Sequence, residues 1–178
     1  NRHATMDGKP NLGNGPTSLL SSAGVYIDAW CWLYKKTGEE KFLRWARKMN
    51  DMDAARKTTA TGLIPTDEVT RGGIMVYAEA ASYAPYLFIA ADTLGPQGDS
   101  WKVEALNYLI AYDKYAYVPR RDDTGACGFY DSLDTTSGLP GAVNGVRYLE
   151  PWKWTDNHEH VGVILSSAAI GYVFTGDD

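Results

Sequence analysis

YKKTGEE (residues 34–40) and YVFTGDD (residues 172–178) are nearly the same seven residues, set far apart in one chain. In both, an apolar helical run ends in Thr-Gly and two acids follow. Glycine just past a helix closes it in the left-handed conformation, and acidic residues suit the first turn of the next helix. The first copy leads into EKFLRWARKMNDMDAARK, where Phe42, Trp45, Ala46, Met49 and Met52 fall at helical spacing. Glu39, Lys41, Arg44, Arg47 and Lys48 take the other face. The spacing therefore predicts an amphipathic, half-exposed outer helix over 39–57.

The helix before it, TSLLSSAGVYIDAWCWLYKK (17–36), carries apolar residues in nearly every direction: Leu19, Leu20, Val25, Tyr26, Ile27, Trp30, Trp32 and Leu33. A helix apolar all round is an inner one, covered on several sides. The pair recurs. GGIMVYAEAASYAPYLFIAADTLG (72–95) is an inner run with Pro85 expected to kink it. WKVEALNYLIAYDKYAYV (101–118) is amphipathic, with Asp99 or Ser100 as its cap. DNHEHVGVILSSAAIGYVFTGDD (156–178) is a third inner run with Asp156 as its expected N-cap. Between the last two lies a long irregular loop in which strand character is confined to short pieces such as GVRYL. Tight turns follow the inner helices and long loops follow the outer ones. All long loops should then share one face, where a site would be built.

This alternation resembles the α/α-toroid carbohydrate enzymes: polysaccharide lyases, six-hairpin glycosidases and the N-acylglucosamine 2-epimerase group. The resemblance rests on YKKTGEEKFLRWARKMND, YVFTGDD and the outer-helix exit TGLIPTDE. It implies an all-α fold of helical hairpins, with about two and a half hairpins in a single domain, 1–178, where such toroids use five to seven. The expectation is part of a larger barrel. The rest of the barrel or another chain would cover the C-terminal inner helix, because an exposed all-apolar face calls for a partner.

Composition narrows the function classes. The chain has 44% hydrophobic and 22% charged residues, a formal net charge of −5 and a pI near 5.2. That balance speaks against a nucleic-acid or anionic-membrane surface, and no apolar run is long enough for a membrane helix. Six Trp and 12 Tyr, several in loops, suit sugar faces as well as protein interfaces. Cys31 and Cys127 sit in such different contexts that two free thiols are expected rather than a disulfide framework. The start NRHATMDGKP lacks the apolar core of a signal peptide. It leaves the compartment open between a fragment and a mature secreted form, leaning to a secreted or periplasmic place.

Three clusters stand where the inner helices begin. The first is Arg2, His3 and Asn14; the second is Asp67, Glu68, Arg71 and Tyr77. The third and densest is WKWTDNHEH: Trp152, Trp154, Asp156, Asn157, His158, Glu159 and His160. His158 and His160, two apart on a helix, point to different sides and make a poor metal pair. Asp156 and Glu159 also fit a structural capping box. No metal or cofactor is expected, although the loop aspartates leave calcium open, with no D-x-D-x-D-G loop to decide it.

Elimination from a uronate glycoside needs a group to neutralise the carboxylate, a base for the C5 proton and an acid for the leaving oxygen. The expected catalytic set is His158, Asn157, His160, Tyr77 and His3. The expected substrate-binding set is Arg71, Trp152, Trp154, Tyr130, Glu68 and Asp156. Lyases of the toroid kind use Asn, His, Tyr and Arg, which is what the resemblance implies. The leading expectation is a polysaccharide lyase acting on uronate-containing poly- or oligosaccharides. A glycoside hydrolase with paired carboxylates, with Asp131 and Asp134 among the candidates, is the first alternative. The others are a sugar epimerase and, from another class, a non-catalytic sugar-binding or scaffold module. The aspartates of FYDSLDTTSG also fit as plain turn formers.

Overall fold

The computed structural model describes residues 20–66, 75–120, 125–141, 146, 148–150 and 158–176, with the side chains of residues 158 and 159 left aside. Helices dominate: α1 (Leu20–Thr37), α2 (Glu40–Ala54), α3 (Tyr83–Leu94), α4 (Asp99–Ala116) and α5 (His158–Thr175). α1 packs on α3 and α3 on α5, while α2 covers α1 and α4 covers α3. The two expected kinds of helix thus form two layers.

The repeated junction has one geometry in both places. Gly38 and Gly176 hold φ of 71° and 72°. Their amides donate to the carbonyls of Tyr34 and Tyr172 at 2.8 and 2.7 Å. Thr37 and Thr175 each donate a hydroxyl back to the carbonyl four residues earlier, Leu33 and Gly171. Only glycine takes this left-handed cap without strain.

The expectation of an all-α chain needs correction: the fold is mainly α. Five short strands, β1 (Met75–Tyr77), β2 (Tyr117–Val118), β3 (Gly128–Tyr130), β4 (Ser132–Asp134) and β5 (Tyr148–Leu149), form two small antiparallel sheets. β1 pairs with β4, Val76 opposite Leu133; β3 lies between β2 and β5, with Phe129 opposite Tyr117 and Leu149. β1 comes from the loop after α2, and the other four come from the stretch after α4. The long loops do meet on one face, and backbone pairing there satisfies amides that would otherwise be buried unpaired. β5 falls on the strand-like GVRYL.

The expected helix over 72–95 divides into β1, a 3-10 turn (Ala78–Ser82) and α3. Pro85 does not kink it. As the third residue of α3 it lies in the first turn, where a missing amide costs nothing. α4 starts at Asp99, so Asp99 and Ser100 are helical residues rather than caps.

The core holds Leu20, Ile27, Leu87, Phe88, Leu133 and Leu149, all nearly without exposure; each stabilises the fold by about 1.5–3 kcal/mol. Phe174 of α5 stacks on Phe88 of α3, ring centroids 5.4 Å apart. A polar cluster joins the two layers. Tyr83 donates to Asn50 Oδ1 at 2.7 Å, and Asn50 donates to Glu104 Oε2 at 2.9 Å, while Arg56 pairs with the buried Asp53. Thr58 and Thr61 both donate to the carbonyl of Thr135, tying the exit of α2 to the stretch after β4.

α3 is the most covered of the three, exposing Ile89 and Asp92, but α1 and α5 are not covered all round as expected. α1 exposes Val25, Tyr26 and Trp32, and α5 exposes Leu165, Tyr172 and Val173. Their spacing places residues on every side, and the neighbours among the described residues shield only part of the circumference. Cys31 and Cys127 are free thiols. Burial, and then the nearby Asp28 carboxylate, push the Cys31 thiol up to about 12 against the opposing pull of Arg47.

Candidate active site

The two sheets put three chain segments side by side at the N-terminal end of α5. β1 runs directly into the 3-10 turn that carries Glu79, and the amide of Ala78 donates to the Asp131 carbonyl at 3.0 Å. Asp131 itself sits at the bend between β3 and β4. The first turn of α5 packs against the 3-10 turn and sets His160 between the two acids. Nδ1 of His160 stands 3.3 Å from Asp131 Oδ1, and Nε2 stands 3.8 Å from Glu79 Oε2.

Exposure grades across this group. The His160 and Asp131 side chains are 19% and 10% exposed, while that of Glu79 is 42% exposed. Asp131 is therefore the fixed partner and Glu79 the solvent-side one. With Nδ1–H donated to Asp131, the Nε2 lone pair is left on the side of the more exposed Glu79, 3.8 Å away, where it can accept a proton. When the ring is protonated, both N–H groups face carboxylates. Beneath Asp131, Tyr112 of α4 is fully buried; burial first, then the nearby Tyr108 and Asp131, keep its hydroxyl protonated far above the ordinary range.

Tyr130, which precedes Asp131, belongs to an aromatic pair. Tyr130 and Tyr148 face each other across β3 and β5, ring centroids 5.2 Å apart at 39°. Partial burial, then the neighbouring Tyr148 and its hydrogen bond, raise the Tyr130 hydroxyl above its usual value. Glu150, next to β5, is 4% exposed. Tyr77 ends β1 opposite Ser132, one residue from Asp131, with its amide held by Thr66 Oγ1 at 2.8 Å.

Of the sequence candidates, His160, Tyr77 and Tyr130 thus lie on elements that meet around Asp131. His158 begins α5, two residues before His160, and its side chain is outside what the structure describes. Asn157, His3, Arg71, Trp152, Trp154, Glu68 and Asp156 lie outside the described residues. Asp134 is not part of the group; its carboxylate accepts from the amides of Thr136 and Ser137, the turn role weighed for it. Sequence reasoning missed Glu79. Glu79 carried a signal: it is the single charge in an otherwise apolar and uncharged run, GGIMVYAEAASY, and such a charge needs a reason.

Among the described residues, no three His, Cys, Asp or Glu side chains gather as a metal site requires. Asp131 and Glu79 face opposite nitrogens of one ring, so they cannot share an ion with it. No described helix is long and apolar enough to cross a membrane. No family model matches the chain, and comparison with the curated proteins finds no match.

Proposed function

We propose that the chain is part of a carbohydrate-active enzyme of the α/α-toroid kind, in which His160, oriented by Asp131, moves the proton. The carrying observation is the His160–Asp131 pair, with the partly exposed Glu79 on its Nε2 side. The layered order of α1, α3 and α5 under α2 and α4 supports the toroid reading. So does the junction repeated at Gly38 and Gly176.

The leading reaction is β-elimination from a uronate-containing glycan. His160 Nε2 would take the C5 proton, and a tyrosine hydroxyl, Tyr77 or Tyr130, would protonate the leaving oxygen. Neutralising the substrate carboxylate falls to Arg71 and Asn157, the sequence candidates for that role. One observation favours a second reading, glycoside hydrolysis: Asp131 and Glu79 both reach the same ring, and paired carboxylates are what hydrolysis uses.

A panel of acidic and neutral polysaccharides, read for near-ultraviolet absorbance and for reducing ends, tests both. Elimination leaves a C4–C5 double bond that absorbs, whereas hydrolysis makes reducing ends alone. Absorbance lost in His160→Asn supports the first reading. Reducing ends without absorbance sink it in favour of the second. Binding with neither signal points to a sugar-binding module.

A further inference from the structure

On the far side of α1 from α3 and α5, four aromatic rings form a continuous run between helices. Tyr26 stacks on Trp30 at 5.7 Å, Trp30 meets Trp45 edge-on at 5.8 Å, and Phe42 meets Trp45 edge-on at 5.6 Å. The run is not closed over: Trp45 is 46% and Tyr26 45% exposed. From Trp45 the surface continues along the outward face of α2, an open depression walled by Arg44, Arg47 and Lys48, with Asp51 and Met52 toward its end. All of these side chains are exposed. None of the three cations has an ion-pair partner among the described residues, whereas Lys41, one turn away, is taken by Glu39.

We infer that this face of α2 is a binding surface for a linear anionic glycan, separate from the His160 group. Trp45 offers a flat ring to the C–H face of a sugar, and Arg44, Arg47 and Lys48 supply cations that repeat along the helix for its carboxylates. The charge is local: a chain with a net charge of −5 gathers three exposed cations beside an exposed tryptophan, with Asp51 the one acid lining the depression. A docked helix would have to strip water from those cations with little in return. A nucleic acid would want a wider basic footprint. α2 returns antiparallel along α1 after the Gly38 turn, so its C-terminal end lies at the loop face that carries His160. A glycan lying along α2 is thereby led toward that face. The choice of a uronic-acid chain among polyanions rests on the elimination reading; the cationic and aromatic surface does not.

The test uses the intact chain carrying His160→Asn, so that polymer is not consumed, with polygalacturonate as probe. Affinity is measured by titration at two salt concentrations. In the same background, the triple variant Arg44→Gln/Arg47→Gln/Lys48→Gln and the single variant Trp45→Ala should each bind about tenfold more weakly or worse, and the triple variant should lose most of the salt dependence. Trp32→Ala, which removes an exposed tryptophan outside the run, should bind unchanged. Circular dichroism confirms that each variant is folded. Absent binding, or binding equal in all variants, overturns the inference. So does tighter binding of single-stranded DNA than of polygalacturonate, or a dimer of the unmutated chain that Trp45→Ala dissolves. Failure of the elimination reading would show separately, as wild-type protein that binds the polymer through Trp45 and releases no unsaturated product.

Discussion

Nδ1 of His160 lies 3.3 Å from Oδ1 of Asp131, joining the first turn of α5 to the bend between β3 and β4. Asp131→Asn should keep the geometry but remove the charge that orients and stabilises the ring. We expect turnover to fall by about 10²–10⁴-fold in His160→Asn and by less in Asp131→Asn. Initial rates on the most active polysaccharide of the panel, with thermal unfolding as a check on folding, decide it. Unchanged rates in His160→Asn would remove the ring from the mechanism.

Gly128 starts β3, and a methyl group there would stand 2.5 Å from the Leu149 carbonyl oxygen. The obstacle is backbone, which cannot swing aside. Gly128→Ala should destabilise the fold by about 1–3 kcal/mol and part β3 from β5, loosening the Tyr130–Tyr148 pair. Urea unfolding and activity should fall together. A variant as stable as the wild type would show that this strand contact gives way easily.

Tyr83→Phe removes the donor to Asn50 Oδ1, and Asn50 is only 2% exposed. The orphaned acceptor should cost about 1–3 kcal/mol. The expected result is a lower urea midpoint at an unchanged slope. A midpoint equal to that of the wild type would mean that water replaces the hydroxyl.

Backbone donation from Ser137, aided by its hydroxyl and by the Thr136 amide, holds the Asp134 carboxyl below its ordinary value. A lowered folded-state value means that the ionised form stabilises the fold. That contribution is complete above the unfolded-state value of about 3.9 and is lost as pH falls through the lower folded-state value. Asp134→Asn should therefore be less stable than the wild type at neutral pH and converge with it in strong acid. Denaturant midpoints at pH 7 and near pH 2 make the comparison. A constant gap would assign the effect to shape rather than charge.

Local signals carried much of the architecture. The Thr-Gly junctions, the apolar runs and the charged faces of α2 and α4 were legible because helix periodicity and glycine caps act over a few residues. Of the strands, only β5, within GVRYL, was. β1 and β4 are three residues each and separated by more than 50 positions; nothing within MVY or SLD says that they pair. β1 also lay hidden in an apolar run that periodicity alone assigns to a helix. For the site, His160, Tyr77 and Tyr130 could be picked out as chemically able groups at loop–helix junctions. Asp131 read equally well as a turn former, and Glu79 as nothing in particular.

By itself, then, the sequence determined the two kinds of helix and the left-handed turns at Gly38 and Gly176, since these depend on residues in mutual reach along the chain. It also determined which loops are long. Only the tertiary structure decided that Glu79, Asp131 and His160 meet, because each comes from a different segment and the β1–β4 pairing brings them together. The structure likewise decided how much of α1 and α5 stays uncovered, since a helix apolar on all sides records what it can bury and not which neighbours it finds.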